Sequence, residues 1–214
     1  DLDAITQNIA AVRALVGPKT CVMAVVKANG YGHGAIAVAR TAVEAGAAFL
    51  GVATVDEGVQ LRDAGVTTPI VILGPVDESE IELAIGRGLE PTIGDRASAE
   101  AIVDRAERLG LVHPVSLHLK VDTGMHRFGS ASGKAVDVAR FVAGHPLLRL
   151  RGIATHFAQA DEEDEQPTAD QAAMFARVID DFAAAGLSAD LAHSANSAAA
   201  IRSRAYDRDL VRLG

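Results

Sequence analysis

The sequence predicts a (β/α)8 barrel, a closed cylinder of eight parallel strands with helices around its outside, preceded by one extra helix. Short apolar segments alternate with helical stretches rich in Ala, Glu and Arg along all 214 residues. Such alternation is typical of a parallel sheet, and eight repeats favour closure into a barrel. The chain is 49% hydrophobic and shows no internal linker, so we expect one domain over residues 1–214.

The predicted elements follow from the spacing of apolar residues. Residues 2–16 carry apolar side chains at helical intervals, and Gly17 and Pro18 end that helix. Strands are predicted at residues 20–28, 48–53, 69–73, 88–93, 114–121, 149–157, 189–193 and 209–213. Helices are predicted between them, at residues 34–46, 56–64, 78–87, 97–109, 133–143, 167–185 and 197–204.

A doubly wound open sheet is the alternative architecture. Its dinucleotide-binding signature, G-x-G-x-x-G after the first strand, is not matched, because Gly30, Gly32 and Gly34 are separated by single residues. The closed barrel is therefore the preferred prediction.

Composition argues against several classes of partner. The net charge is −8 and there is no basic block, which argues against binding to nucleic acid or to an anionic membrane surface. No apolar stretch approaches the ~20 residues of a membrane span, and no signal peptide pattern is present. The single Cys21 fits a reducing cytoplasm. The chain begins at Asp1 and stops after an apolar segment, so we expect a domain of a longer protein.

The segment from Ala24 to Gly34 carries the strongest chemical signal. An apolar run ends in one lysine, Lys27, and Tyr31 lies among three glycines that follow it. A charged amine at the end of a buried strand is costly unless it is paired or loses its proton. An uncharged amine there is a nucleophile suited to the aldehyde of a pyridoxal cofactor. The alternative is a lysine that caps the strand and extends its amine to solvent.

Polar residues gather at the predicted carboxyl ends of other strands, where barrels place their chemistry. Lys120 and Arg127 are two cations that need an anion nearby, such as a phosphate or a carboxylate. Ser197 and Gly214 lie where barrels often bind phosphate, although Asn196 and Ser197 also suit an ordinary helix N-cap. The other polar candidates in these segments are His118, His156, His193 and Arg212, and His118 also suits a core histidine with a hydrogen-bond partner.

Five segments, in this order and spacing, resemble alanine racemase. They are Ala-Val-Val-Lys-Ala-Asn-Gly-Tyr-Gly-His-Gly, Leu-Lys-Val-Asp-Thr-Gly-Met-His-Arg-Phe-Gly, Thr-His-Phe-Ala, His-Ser-Ala-Asn-Ser-Ala-Ala and Val-Arg-Leu-Gly. The resemblance covers the whole chain and corresponds to the amino-terminal barrel domain of that family. It implies pyridoxal 5'-phosphate as cofactor, a small amino acid as substrate, no metal, and D-alanine supply for peptidoglycan in the cytoplasm.

The resemblance also implies the role of individual residues. Lys27 would hold the cofactor covalently and then act as one of two acid/base groups at the substrate Cα. Arg127 would lie near the substrate carboxylate, and Lys120 matches a lysine that the family carbamylates. His156 would lie beside the pyridine ring and contact Arg212, with His193 behind it. The cofactor would be held by Tyr31, Asn196, Ser197 and the backbone at Gly214.

Arg212 would face the pyridine nitrogen of the cofactor. An arginine can only donate hydrogen bonds, so that nitrogen would stay unprotonated and the ring would be a weaker electron sink. Such a site favours prompt reprotonation at Cα over transamination. The resemblance places the second proton donor, a tyrosine, on a carboxyl-terminal β domain of the partner in a head-to-tail homodimer. The barrel alone is therefore expected to racemise poorly.

One residue departs from the family pattern, and several other functions remain open. His126 stands where a glycine is more usual before the arginine. A cofactor carrier on the same barrel, a racemase of another small amino acid such as serine, and a barrel with a merely structural lysine are the alternatives. A related decarboxylase is disfavoured, because that class places an acidic group against the pyridine nitrogen where Arg212 would lie.

Overall fold

The computed structural model describes residues 1–214 and confirms the predicted barrel of eight parallel strands. The strands are β1 (Cys21–Val25), β2 (Phe49–Val52), β3 (Ile70–Ile72), β4 (Glu90–Ile93), β5 (Val115–Asp122), β6 (Leu148–Ala154), β7 (Leu191–His193) and β8 (Leu210–Leu213). A further two-residue strand, Ser130–Ala131, pairs with the end of β5. Each main strand hydrogen-bonds to parallel neighbours in the order β7-β6-β5-β4-β3-β2-β1-β8.

Two backbone hydrogen bonds close the barrel between the ends of this order. The N–H of Asp209 donates to the carbonyl of Ala192 at 3.0 Å, and the N–H of Arg212 donates to the carbonyl of Ala195 at 3.0 Å. The Asp209 carboxylate also accepts from the N–H of Ala192 at 2.7 Å. The carboxyl ends of all eight strands therefore meet around one mouth.

Helices cover the outside of the barrel. They are α1 (Leu2–Val16), α2 (Ala35–Glu44), α3 (Val55–Asp63), α4 (Ile81–Gly86), α5 (Arg96–Arg108), α6 (Ala135–Gly144), α7 (Gln166–Ala184) and α8 (Ser197–Arg202). Asp1 caps the first of them by accepting from the backbone N–H groups of Asp3 and Ala4. None of the helices combines the length and the apolar character that crossing a bilayer requires.

Alternation along each strand separates two apolar layers. Val22 and Ala24 of β1 point outward and pack into a large cluster with residues of the surrounding helices. A smaller cluster consists of strand residues alone and fills the barrel interior; its members are Met23, Phe49, Val71, Leu191 and Leu210. Apolar side chains therefore pack on both faces of the barrel sheet.

The structure corrects the predicted boundaries at two functional segments. Strand β1 ends at Val25 rather than at residue 28, because the chain enters a tight turn over Lys27–Tyr31. Strand β6 ends at Ala154, so His156 lies in the loop after the strand. In both cases the side chain that the sequence proposes for the site lies on irregular backbone just beyond the end of a strand.

Candidate active site

One cavity of about 460 Å³ opens at the carboxyl ends of the strands, and it brings together the residues that the sequence proposes for the site, with the exception of the candidate His118. Its lining includes Lys27, Tyr31, Lys120, Arg127, His156, Asn196, Ser197, Arg212 and Gly214. These residues come from the ends of β1, β5, β6, β7 and β8 or the loops that follow. His193 also lines the cavity, whereas His118 lies behind it in the barrel wall.

Lys27 opens a turn with left-handed backbone dihedrals. The φ angles of Ala28, Asn29 and Tyr31 are 51°, 55° and 54°, which residues other than glycine rarely adopt. Such strain persists only where neighbouring structure fixes the backbone. Asn29 supplies one restraint, because its side-chain oxygen accepts from the N–H of Ala35 at 2.9 Å.

Glu57 supplies a stronger restraint on this turn, and the sequence analysis did not identify it. Its carboxylate accepts from the N–H of Ala28 at 2.6 Å and from the N–H of Ala53 at 2.7 Å. Glu57 therefore connects the residue after Lys27 to the end of β2. The sequence signal was the Thr54-x-x-Glu57 pattern of a helix N-terminus, in which the glutamate usually bonds back to the capping residue.

A hydroxyl-rich pole lies at one end of the cavity. The Oγ of Ser197 lies 3.1 Å from the backbone N of Gly214, and the same hydroxyl lies 3.0 Å from the Gly214 carbonyl oxygen. A Cβ added to Gly214 would approach the Tyr31 hydroxyl to 2.6 Å, so a side chain at this position would force the Tyr31 ring to shift. The Tyr31 hydroxyl, the Ser197 hydroxyl and bare backbone therefore converge at one point.

Arg212 also lines the cavity and is buried, at 6% exposure. Its Nη2 donates to the carbonyls of Thr155 and Ser194 at 2.8 and 2.9 Å and lies 3.2 Å from Nδ1 of His156. Its Nη1 lies 3.0 Å from Nδ1 of His193. Burial lowers the pKa of Arg212 to about 10, so the side chain stays a cation and a pure donor at neutral pH.

The cavity is strongly cationic. Four of its lining side chains are lysine or arginine and none is a carboxylate; the cations are Lys27, Lys120, Arg127 and Arg212. The pKa of His156 reflects this positive charge, because burial and then the four cations lower it to about 3. The imidazole is therefore neutral at physiological pH, and the site favours a ligand that carries negative charge.

Lys120 is a buried lysine on β5. Its Nζ lies 5.4 Å from the centre of the Phe128 ring. Burial, followed by the charges of Arg127 and Arg212, lowers the pKa of Lys120 to about 8, and the Asp122 carboxylate only partly opposes this. A substantial fraction of the amine is therefore uncharged at weakly alkaline pH, which makes it nucleophilic.

Asp122 shapes the loop that carries Arg127. One carboxylate oxygen accepts from the N–H groups of Gly124, Met125 and His126 at 3.0, 3.1 and 3.0 Å. The φ of His126 is 55°, which explains why a glycine suits this position better. Its ring also lies 3.3 Å from the second oxygen of Asp122, a contact that a glycine would lack.

Gln171 of α7 was also missed from the sequence, because a glutamine inside a helix gives no distinctive signal. Its amide nitrogen donates to the carbonyl of His156 at 3.1 Å, and its amide oxygen accepts from Ala158 N–H at 2.9 Å. The amide nitrogen also contacts the hydroxyl of Thr123 at 3.2 Å. Gln171 therefore fixes the loop that follows β6.

No group of three or more His, Cys, Asp or Glu side chains is arranged to hold a metal ion.

The fold and the cavity together define a (β/α)8 barrel of enzyme type, with a lysine in a cationic pocket that hydrogen-bonding groups also line. A profile of the family described as "Alanine racemase, N-terminal domain" matches residues 1–214. The alanine racemase of Synechocystis sp. is 42% identical to this chain, and the aligned region spans 100% of this chain and 57% of that racemase. The chain therefore belongs to the alanine racemase family and matches its amino-terminal domain.

Solved structures agree with this assignment. The alanine racemase of Clostridium difficile 630 superposes with a TM-score of 0.94 at 30% identity, over 99% of this chain and 55% of that one. The alanine racemase of Bacillus anthracis with bound L-Ala-P superposes with a TM-score of 0.92 at 33% identity, over 100% of this chain and 55% of that one. This chain thus spans little more than half the length of the relatives that it matches.

Proposed function

We propose that the protein is a pyridoxal-phosphate-dependent racemase that interconverts L-alanine and D-alanine. One observation carries the proposal. The Lys27 amine faces a cavity with four cationic side chains and no carboxylate, and hydrogen-bonding groups stand at both of its ends. A phosphate, an aldehyde and a pyridine nitrogen on one flat ligand match this arrangement, and a substrate carboxylate adds further negative charge.

The residues at the two poles fit the cofactor. The hydroxyls of Tyr31 and Ser197 and the backbone at Gly214 would hold its phosphate, with Asn196 capping the helix beside them. The bare Cα of Gly214 supports this role, because a side chain there would collide with the Tyr31 hydroxyl. At the opposite pole Arg212 would face the ring nitrogen as a donor, and the neutral ring of His156 would lie beside the pyridine.

The bound cofactor supplies an aldehyde for covalent attachment and a ring that weakens the Cα–H bond of the substrate amine. Lys27 would take and return the proton at Cα on the face that it occupies. Arg127 would bind the substrate carboxylate as a cation. The packed barrel interior below the cavity excludes water from beneath the reacting atoms.

We also propose that Lys120 is carbamylated. The Lys120 ammonium would first lose one proton to solvent. The uncharged amine would then attack carbon dioxide, forming an N–C bond as one C–O π bond opens to a carboxylate, and a second proton would leave to solvent. The two protons lost convert a cation into an anion. This relieves the repulsion between Lys120 and Arg127 and gives Arg127 a counter-charge. Labelled ¹³C-bicarbonate should give a carbamate resonance in the wild type that is absent from Lys120→Met; equal spectra would refute carbamylation.

Alanine is the proposed substrate because the relatives named above are alanine racemases, and one of them binds L-Ala-P. We propose that the second proton donor is a tyrosine outside residues 1–214, contributed by a partner in a head-to-tail homodimer. Within the cavity Tyr31 is the only tyrosine, and it belongs to the phosphate pole. The product D-alanine would supply peptidoglycan synthesis in the cytoplasm.

A chiral assay of the full-length protein with added pyridoxal phosphate tests the function across L-alanine, L-serine and other L-amino acids. Racemisation of alanine above the others is expected, with loss of activity in Lys27→Ala. Lys19→Ala is the matched control, because Lys19 is exposed and lies outside the cavity. Cofactor binding without racemisation of any amino acid would contradict the racemase proposal and support a cofactor carrier instead.

A further inference from the structure

A chain of three hydrogen bonds leads from Arg212 through the barrel wall to a carboxylate. Nη1 of Arg212 lies 3.0 Å from Nδ1 of His193, and Nε2 of His193 lies 3.0 Å from Nδ1 of His118. Nε2 of His118 lies 2.8 Å from Oε2 of Glu90, the first residue of β4. His118 and His193 are 0% and 1% exposed, so water does not compete for these bonds.

Which atom donates in each of these three hydrogen bonds follows from the first donor, the Arg212 guanidinium. A guanidinium only donates, so Nδ1 of His193 must accept. The single proton of His193 then lies on Nε2, which donates to Nδ1 of His118. His118 in turn carries its proton on Nε2 and donates to Glu90. Neither ring can be an imidazolium, because each Nδ1 accepts a hydrogen bond.

The position of His118 in this chain is fixed by Gly152 of β6. A Cβ at Gly152 would lie 2.3 Å from Nδ1 of His118, so the ring occupies space that only glycine leaves open. The rings of His118 and His193 stand edge to face, with their centres 5.2 Å apart. Strand β6 therefore makes room for the connection between β4 and β7.

Arg212 needs this connection for electrostatic reasons. Its acceptors are two carbonyl oxygens and two neutral imidazoles, and it forms no ion pair with a carboxylate. A buried charge without compensation is costly. Glu90 is the one carboxylate joined to Arg212 through hydrogen bonds, and its side chain is only 14% exposed. The charge of Glu90 also interacts with that of Arg62.

We propose that Glu90 is a positioning residue and serves as the remote counter-charge of Arg212, acting through His118 and His193. Polarisation along the three bonds offsets the guanidinium charge and fixes Arg212 as a donor towards the mouth. The catalytic consequence rests on the proposed function, in which Arg212 faces the cofactor ring. Loss of the Glu90 charge would then alter the field at the ring without removing any group that touches it.

The first test is ¹⁵N NMR of the histidine side chains in the full-length wild-type protein. We expect His118 and His193 to carry their protons on Nε2, with Nδ1 of each ring unprotonated. A proton on Nδ1 of either ring would overturn the proposal. This measurement does not depend on catalysis, so it stands whether or not the protein is a racemase.

The second test compares Glu90→Gln with Glu82→Gln. The amide in Glu90→Gln would keep an acceptor without the charge, whereas Glu82 is an exposed residue of α4 on the outside of the barrel. In Glu90→Gln we expect upfield shifts of the Nε2–H protons of both histidines and a kcat about tenfold lower, with KM changed less than about twofold. Glu82→Gln should leave all of these unchanged.

A shift confined to His118, or an unchanged kcat in Glu90→Gln, would contradict the proposal. If Glu90→Gln does not fold, Glu90→Asp tests the same point, because its shorter side chain moves the carboxylate away from His118. An unchanged His193 resonance in Glu90→Asp would also contradict the counter-charge proposal. Shifts at both histidines in a protein without racemase activity would refute the proposed function and leave the counter-charge in place. The counter-charge proposal and the proposed function can therefore be refuted independently of each other.

Discussion

The Glu57 carboxylate holds the backbone N–H of Ala28 at 2.6 Å, and so fixes the peptide that immediately follows Lys27. Its second oxygen holds Ala53 N–H at 2.7 Å, at the end of the neighbouring strand β2. The position of the Lys27 amine thus depends on a side chain 29 residues away from Ala28. Preorganisation of this kind keeps a reacting group in place without further cost during the reaction.

Glu57→Gln should loosen this turn. The amide can accept from only one of the two N–H groups and directs its own donor at the other, so we expect a loss of about 1–3 kcal/mol in the free energy of unfolding. Urea unfolding measures this, and cofactor titration should show weaker binding. Asp56→Asn, an exposed neighbour on the same helical turn, should stay within about 0.5 kcal/mol. Equal effects of the two substitutions would exclude the restraint.

Gly214→Ala should weaken binding of the cofactor phosphate. The new Cβ would lie 2.6 Å from the Tyr31 hydroxyl, so that hydroxyl must move away from the pole that it forms with Ser197. We expect the dissociation constant of pyridoxal phosphate to rise about tenfold or more, measured by absorbance titration. Gly86→Ala is the control, because a Cβ at Gly86 meets no atom within 4 Å. Unchanged affinity in Gly214→Ala would place the phosphate elsewhere.

Much of this site was predictable from the sequence, because its lysine, arginines and histidines follow apolar strands in fixed segments. The left-handed turn after Lys27 was not, since intrinsic preferences disfavour positive φ at Ala28 and Tyr31. Glu57 and Glu90 were missed for another reason. Their roles depend on partners brought close by closure of the barrel, and a glutamate at a helix start or strand start is ordinary in sequence.

The low pKa of His156 predicts acid sensitivity. Its value of about 3 in the folded state lies below the ordinary 6.5, so the unfolded chain binds more protons between these values. The free energy of unfolding should therefore fall as the pH drops below 6.5, by about 1–3 kcal/mol at about pH 4 for this group. Urea unfolding of the wild type and His156→Asn measures the difference.

Burial also lowers the pKa of His193, but His193 is present in both the wild type and His156→Asn. The difference between their free energies of unfolding therefore reports on His156 alone. A His156 imidazole that titrates near 6.5 by NMR would show that neither burial nor the four cations lower its pKa. Equal acid sensitivity of the wild type and His156→Asn would lead to the same conclusion.

The lowered pKa of Lys120 predicts the behaviour of stability at alkaline pH in buffer free of carbon dioxide. Because the folded state loses its proton near 8 and the unfolded state near 10.5, stability should rise with pH across this window. We expect a gain of about 1–3 kcal/mol relative to Lys120→Met, measured by urea unfolding at several pH values. Parallel curves for the two proteins would show that Lys120 is not held in a cationic, water-poor site.

The most direct measurement is borohydride reduction of the full-length protein in the presence of pyridoxal phosphate, followed by peptide mapping. Reduction makes the link between the cofactor and its lysine permanent, so the labelled peptide identifies the attached amine. We predict a label on Lys27 alone, and no stoichiometric label in Lys27→Ala. A label on Lys120 or on a surface lysine, or none at all in the wild type, would contradict the central role of Lys27.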